Sequence, residues 1–429
     1  MNAITQKDTH NPSFKPYFSN FLIVNIFFWI VRARDWWHYF GFQPMNPSFA
    51  DLRAFTAQVS CAQQGIDYLQ VNCDPWNRAI GNLDIWVRIF QFLNINETST
   101  EIVGNIFQIL LILSIYSLAY AFRINLELRR NFILIILVSI SPPIALLIER
   151  GQTEIIFFFL IIVSSFLVHS NRKFSAYLII GFLSILKFYP IILLGLLLAS
   201  RRIKNTTTQI IFGLLVLISS TGSIIYTLRG ELNHTAYSPL SASLSEGYWR
   251  TFGVTVPPYL GIKTINDLNI LESKIHFSRI QVQSFGFLII VVVALILLFF
   301  HSRGKVFGPN VSLIIEEGTL RSIVLLFSLC LTCISYFLLS SYDYRMIYAV
   351  PLFLIGLAQE SEKRKNKLIG YFVYGILFIM WAQIFIWTSA LAQAPILVSF
   401  VLVLFNIRRA LISDFLSFKG LKKSEILRF

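Results

Sequence analysis

Residues 18–33 read FSNFLIVNIFFWIVRA, an almost uninterrupted apolar run. A run of this length and hydrophobicity is typical of a helix that crosses a lipid bilayer. It follows a mostly polar tail at residues 1–17 and shows no small-residue cleavage pattern. We therefore interpret it as an uncleaved membrane anchor rather than as a secretory signal peptide.

The composition of the whole chain agrees with a membrane protein. Of the 429 residues, 55% are hydrophobic and only 14% are charged, and the mean hydropathy is +0.66. Soluble domains have about a quarter of their residues charged, so a soluble globular protein is excluded. Four cysteines in a chain of this length exclude a scaffold held together by disulfides.

Further apolar runs of membrane length recur along the chain. The run at 174–200 is broken at Lys187–Pro190 and has basic residues on both flanks, so we predict a hairpin of two short helices with its turn inside the membrane. We expect an all-α polytopic membrane protein with about 12 membrane segments, within a range of about 10 to 13. The remaining predicted segments are 102–122, 132–149, 153–169, 208–228, 281–300, 319–340, 346–359, 368–389 and 394–410.

The distribution of charge predicts the orientation. The net charge is +14, and the short loops assigned to the cytoplasm are all basic, as the positive-inside rule expects. The charge therefore indicates orientation in a plasma (inner) membrane and not binding to nucleic acid. This topology predicts cytoplasmic tails at 1–17 and 411–429, and one membrane domain at 18–410. Two outer loops with short helices are predicted at 34–101 and 229–280.

Asp51 is the most informative residue of the first outer loop. It lies between an irregular proline-containing segment and the helix-compatible stretch DLRAFTAQVSCAQQG. One interpretation is that Asp51 caps this helix. The other is a carboxylate at the boundary between membrane and water, available as a general base.

The rest of this loop contains a turn and two cysteines. Asp74-Pro75 is a turn signal, so from its local sequence Asp74 is expected to be structural. Cys61 and Cys73 lie in the same loop, and the sequence leaves open whether they form a disulfide or remain two free thiols.

Polar residues at three further turns are candidates for binding. Between two apolar runs, the turn Glu149–Glu154 is either an ordinary solvated turn or the wall of an outer pocket, with Gln152 and Glu154 lining it. Lys187, in the tip of the predicted hairpin, either snorkels to the interface or contacts a phosphate. Arg345 either clamps a phosphate, pairs with Asp343 or marks the end of its span.

The sequence lacks the motifs of several common nucleotide-binding and metal-binding sites. There is no Walker loop, no HExxH and no paired CxxC metal site. We expect no cofactor, and the sequence leaves open whether a divalent metal takes part.

Four stretches in order resemble a known class of enzymes. They are Ala50-Asp51-Leu52 with Gly65-Ile66-Asp67-Tyr68, then Arg150-Gly151-Gln152-Thr153-Glu154, then Leu186-Lys187-Phe188-Tyr189-Pro190, and then Tyr342-Asp343-Tyr344-Arg345. Together they resemble the family C fold of membrane glycosyltransferases, and most of all the bacterial polyprenyl-phosphate-mannose-dependent mannosyltransferase family. The resemblance extends over roughly residues 20–360.

The resemblance implies a function and a role for each matching residue. It implies inverting transfer of a hexose, usually mannose, from a polyprenyl-phosphate sugar to a lipid-linked or envelope glycan acceptor on the outer face of the membrane. Asp51 would be the catalytic base. The donor phosphate would be bound by Lys187, Arg345, Arg150 and Arg250. The sugar or acceptor would be bound by Gln152, Glu154, Tyr68, Asp74 and Asp343.

Two other functions remain as alternatives. A flippase or transporter for a lipid-linked sugar would need charges deep in several spans, whereas the candidate charges lie at span ends. An O-antigen-type polymerase or ligase would rely on outer-loop arginines more than on a single early aspartate.

Overall fold

The computed structural model describes residues 13–68, 70–78, 84–199, 206–231, 251–252, 319–337, 341–361 and 367–382. These residues are almost entirely helical. The helices are α1 (Lys15–Ala33), α2 (Ala50–Gln63), α3 (Asp84–Phe92), α4 (Thr100–Ala121), α5 (Arg129–Ser139), α6 (Pro142–Arg150), α7 (Glu154–His169), α8 (Lys173–Leu186), α9 (Ile191–Ala199), α10 (Thr207–Glu231), α11 (Leu320–Phe337), α12 (Val350–Ser361) and α13 (Lys367–Ala382).

Short elements connect these helices. Three 3-10 helices lie at Trp36–Phe40, Glu97–Ser99 and Asp343–Ala349. Two strands, β1 (Thr251–Phe252) and β2 (Ser341–Tyr342), pair antiparallel, with Thr251 opposite Tyr342. This pairing brings a piece of the second predicted outer loop beside the segment that leads to Arg345.

Two described helices, α1 and α4, are long and apolar enough to cross a membrane by length and composition. They pack against each other. One face of α1 exposes large apolar side chains such as Phe18, Ile26 and Trp29, as expected of a surface that faces lipid. The count of about 12 segments stays a prediction, and its segments 281–300 and 394–410 lie outside the described residues.

The structure divides the predicted span at 132–149 into two helices, α5 and α6. The two helices are bent by 43° relative to each other at a short break. Pro142 is the first residue of α6 and has no N–H to continue the α5 ladder, which accounts for the break. The bend allows α6 to approach α2 and the 3-10 helix Asp343–Ala349.

The predicted break in the 174–200 run is confirmed. Helix α8 ends at Leu186 and α9 begins at Ile191, and the two helices pack together. At about 1.5 Å per residue, neither helix alone reaches the roughly 30 Å of a bilayer core. Of the connecting residues Lys187–Pro190, Tyr189 and Pro190 are buried, whereas Phe188 is exposed.

Candidate active site

Asp51 lies in the first turn of α2, but it is not the cap of that helix. The N-cap position is Phe49, and no side chain caps the helix by a hydrogen bond. The interpretation of Asp51 as a cap is therefore wrong. One carboxylate oxygen of Asp51 lies 2.6 Å from a terminal nitrogen of Arg78, and the other accepts a hydrogen bond from the amide of Gln152.

Phe49 sets the position at which α2 begins. It adopts a left-handed backbone with φ 65°, and its N–H donates to the Glu149 carbonyl oxygen at 2.8 Å. Gly151 ends α6 with φ 63°, and a Cβ there would lie 3.1 Å from the Cβ of Phe49. A Cβ on Gly104 of α4 would lie 2.5 Å from the Phe49 ring. Two glycines thus let Phe49 fit between α4 and α6, two residues before Asp51.

The turn at Asp74 is closed by hydrogen bonds and holds the Arg78 side chain. The Asp74 carboxylate is buried and accepts the backbone N–H of Trp76 at 3.1 Å and that of Arg78 at 2.9 Å. It also accepts two side-chain hydrogen bonds from the Arg78 guanidinium, at 3.1 and 2.8 Å. This arrangement agrees with the structural role that the Asp74-Pro75 signal predicts.

Cys61 and Cys73 form a disulfide in the structure, which resolves the alternative that the sequence left open. Their Cα atoms are 6.5 Å apart. The bond links the last part of α2 to the residue that directly precedes Asp74. It therefore attaches the Asp74 turn to the same helix that carries Asp51.

A second charged cluster joins α7 to two distant parts of the chain. The Lys187 ammonium lies 2.5 Å from one carboxylate oxygen of Glu154, and Nε of Arg345 lies 3.7 Å from the same oxygen. Glu154 is completely buried, and its second oxygen has no hydrogen-bond partner among the residues that the structure describes. Two cations thus lie beside one buried carboxylate, an arrangement that favours an anionic ligand.

Aromatic rings surround the two cations. The Lys187 ammonium lies 5.6 Å from the ring centre of Phe157, and the Arg345 guanidinium lies 5.6 Å from that of Tyr189. The hydroxyls of Tyr189 and Tyr348 form a 2.7 Å hydrogen bond. These contacts hold both cations at the base of α7 by cation–π attraction as well as by charge.

One short turn connects the two clusters. Gln152 contacts Asp51, and Glu154, two residues later, contacts Lys187 and Arg345. Asp51 also attracts the Lys187 ammonium electrostatically. Five of the residues singled out from the sequence therefore meet in one place, with a carboxylate at one end and two cations at the other.

The other predicted residues are placed differently. Arg150 forms an ion pair at 2.9 Å with Glu149, whose other oxygen accepts the Met45 N–H. Tyr68 is half-buried and packs against the hydrophobic core. Arg250 and the side chain of Asp343 lie outside the described residues, although Asp343 begins the 3-10 helix that carries Arg345.

Arg78 is the residue of this site that the sequence reasoning did not single out. The signal was present in Cys73-Asp74-Pro75-Trp76-Asn77-Arg78, where a turn-forming aspartate is followed four residues later by an arginine. The sequence alone could not indicate that the same arginine reaches Asp51, which is 27 residues away along the chain.

The described residues contain no group of three or more His, Cys, Asp or Glu side chains that could hold a metal ion.

Comparison with known proteins gives one match. The model of Glycosyltransferase family 87 matches residues 100–308. The match includes Gln152, Glu154 and Lys187, whereas Asp51 and Arg345 lie outside it. No curated protein and no solved structure matches the chain. The family match and the apolar helices together support a membrane glycosyltransferase.

Proposed function

We propose that this protein is a membrane glycosyltransferase that moves a hexose, mannose in the first instance, from a polyprenyl-phosphate donor to a glycan acceptor. The observation that carries the proposal is the turn Gln152–Glu154. It joins a carboxylate suited to remove a proton and two cations suited to bind a phosphate.

The proposed reaction uses the Asp51 carboxylate at one end of the site and the cations Lys187 and Arg345 at the other. Asp51 takes the proton of an acceptor hydroxyl, and the hydroxyl oxygen forms a bond to the anomeric carbon of the donor. The bond between that carbon and the phosphate oxygen breaks, and its electron pair leaves with the polyprenyl phosphate. Lys187 and Arg345 stabilise the negative charge that develops on this leaving group. Attack from the face opposite to the phosphate inverts the anomeric configuration.

Asp51 retains the capacity to act as this base. Each carboxylate oxygen has two lone pairs, and its described contacts to Arg78 and Gln152 use one on each oxygen. About a quarter of the side chain is exposed (26%), so an acceptor has access to it.

The disulfide supports a site on the outer face of a plasma (inner) membrane. Disulfides persist in oxidising compartments and are rare in the cytosol. The bond between Cys61 and Cys73 lies in the same loop as Asp51. Together with the basic loops assigned to the cytoplasm, it favours a multi-pass protein with both termini inside and the active site outside.

The positions of the charged side chains distinguish this function from transport. Asp51 and Glu154 lie in the first turns of α2 and α7, Lys187 directly follows α8, and Arg345 lies in a 3-10 helix. All four gather at one site at helix ends rather than along a path between two faces. This favours an enzyme over a flippase or transporter.

A reconstituted transfer assay tests the proposal. Purified protein receives polyprenyl-phosphate sugars, one at a time, with an extract of envelope glycolipids as acceptor. The proposal expects transfer by the wild type and a loss of about 100-fold or more for Asp51→Asn. A matched control is Asp35→Asn, because Asp35 is an exposed carboxylate of the same loop and asparagine tolerates its left-handed backbone.

Two results would contradict the proposal. Full transfer by a folded Asp51→Asn protein would remove the assigned base. Transfer only from diphosphate-linked oligosaccharides, with none from monophosphate-linked sugars, would favour the polymerase or ligase class.

A further inference from the structure

Arg78 has every one of its donors engaged within the protein. A guanidinium has five N–H groups. One terminal nitrogen contacts Asp51 at 2.6 Å and the Met45 sulfur at 3.7 Å. The other donates to the Ala50 carbonyl and to Asp74, both at 2.8 Å, and Nε donates to Asp74 at 3.1 Å. No N–H of Arg78 therefore remains for a substrate phosphate.

On the side away from Asp51, the Arg78 guanidinium binds Asp74, whose turn is itself held by several contacts. The Asp74 side chain is only 1% exposed, and it accepts two backbone N–H groups in addition to the guanidinium. The adjacent residue, Cys73, is bonded to Cys61 of α2. The guanidinium also lies 5.0 Å from the ring centre of Trp76. These contacts fix the position of the guanidinium, so the groups bound at its other end are held in place as well.

The other end holds both the backbone and the side chain at the start of α2. The Ala50 carbonyl and the Asp51 carboxylate are bound by the same guanidinium, so the direction of the carboxylate is fixed relative to its own helix. Gln152 fixes the second oxygen from the opposite side. Among the described residues, Gln152 alone would hold the Asp51 carboxylate by a side-chain hydrogen bond if Arg78 were removed.

The charge of Arg78 is maintained in this environment. Burial lowers the pKa of the guanidinium, but its hydrogen bonds and its attraction to Asp74 and Asp51 outweigh this and raise the pKa above its usual value. Arg78 therefore stays charged at every physiological pH. A lysine would keep the charge but could not reproduce the planar fork.

We propose that Arg78 is a positioning residue, whose guanidinium aims the Asp51 carboxylate from the Asp74 turn before the substrate arrives. The inference rests on the proposed function, because Asp51 needs to be aimed only if it acts as the base. Arg78 does not bind the donor.

Steady-state kinetics tests this role with Arg78→Lys and Arg78→Gln. Misplacement of a catalytic group by about 1 Å costs on the order of 100-fold. We expect kcat to fall about 10-fold in Arg78→Lys and about 100-fold in Arg78→Gln, with KM for the donor changed less than about twofold. The partial rescue by lysine is a signature that a merely structural arginine would not give.

Arg53→Lys is the matched control. Arg53 is a buried arginine of the same helix, and its described contacts go to the Ser48 carbonyl and to Glu101. We expect its kcat to remain within about twofold of the wild-type value. Unchanged kcat in Arg78→Gln would overturn the inference, and so would a rise in KM at constant kcat, which would assign Arg78 to donor binding.

A thermal double-mutant cycle provides a readout that does not need activity. If Arg78 and Asp51 are linked, the fall in Tm for Asp51→Ala with Arg78→Gln is smaller than the sum of the two single falls. Additive falls would overturn the inference. A wild type without transfer activity that still shows the coupling would contradict the proposed function, and would leave Arg78 a structural residue. The two failures are thereby distinguishable.

Discussion

The Lys187 ammonium and the Glu154 carboxylate meet at 2.5 Å although 33 residues separate them in the chain. Glu154 is the first residue of α7 and Lys187 directly follows the last residue of α8, and these two helices pack together. The contact therefore joins the beginning of α7 to the end of α8. A lysine near membrane depth is expensive unless it snorkels or pairs. The structure shows pairing, which makes this cation part of a buried site and not an anchor at the interface.

Removal of Lys187 is expected to destabilise the protein and to weaken donor binding. Only 18% of the Lys187 side chain and none of the Glu154 side chain is exposed. Breaking a buried pair costs about 3–5 kcal/mol when one charge is left uncompensated, and Arg345, 3.7 Å from the same Glu154 oxygen, would offset part of that cost. Lys187→Met should therefore lower Tm in a thermal unfolding measurement and raise KM for the donor at least about 10-fold.

The double variant Lys187→Met with Glu154→Gln is the control for the stability effect. It removes both charges of the pair, so part of the lost Tm should return while donor binding stays weak. Arg345 also loses its contact with the Glu154 carboxylate, which limits the recovery. Equal Tm values for the single and the double variant would show that Glu154 is not the partner that Lys187 stabilises.

Gln152→Ala is expected to lower kcat by about 10-fold, because it removes the amide that holds the second oxygen of Asp51. A hydrogen bond to a charged group contributes about 1.5–3 kcal/mol, which corresponds to roughly 10- to 150-fold, so the expected loss lies at the lower end of this range. The measurement is kcat under saturating donor. Gln64→Ala is the control, since Gln64 is exposed at the end of α2 and should leave kcat unchanged. Equal kcat for both variants would exclude a role of Gln152 at Asp51.

Gly104→Ala is expected to disturb Asp51 from a distance. The new Cβ would lie 2.5 Å from the Phe49 ring, so Phe49 must shift and α2 must shift with it. Overpacking of this kind costs about 1–3 kcal/mol. Tm and kcat should both fall. Gly222→Ala in α10 is the matched control, because a Cβ there meets nothing within 4 Å. A normal kcat in Gly104→Ala would show that the position of Phe49 is not coupled to Asp51.

Loss of the disulfide is expected to loosen the Asp74 turn. A bond that closes a loop of this size contributes about 3 kcal/mol by restricting the unfolded chain. The variant Cys61→Ser with Cys73→Ser should show a lower Tm and a lower kcat, and a reductant should reproduce both effects in the wild type. Cys330→Ala is the control, because Cys330 is a free thiol in α11. Reductant sensitivity that persists in the double serine variant would trace the effect to another residue.

The sequence predicts the long elements and the identities of many site residues, but not their contacts. The first span, the break at Lys187–Pro190 and the polar turn at Gln152 and Glu154 are all visible as local patterns. The bend between α5 and α6 was missed, although Pro142 was visible, because apolar length alone does not show where a helical ladder stops. The capping interpretation of Asp51 was wrong because Phe49 takes the cap position in a left-handed conformation that propensity does not predict.

By itself the sequence determined that this is a helical membrane protein, because apolar length and charge are properties of single segments. It also singled out Lys187, a lysine that is expensive near membrane depth, and the polar turn that contains Glu154. Only the tertiary structure decided which charges pair, because ion pairs such as Arg78 with Asp51 and Arg345 with Glu154 form between segments distant in the chain. Which charges pair depends on how the bent and broken helices pack against each other, and this packing cannot be deduced from the local sequence.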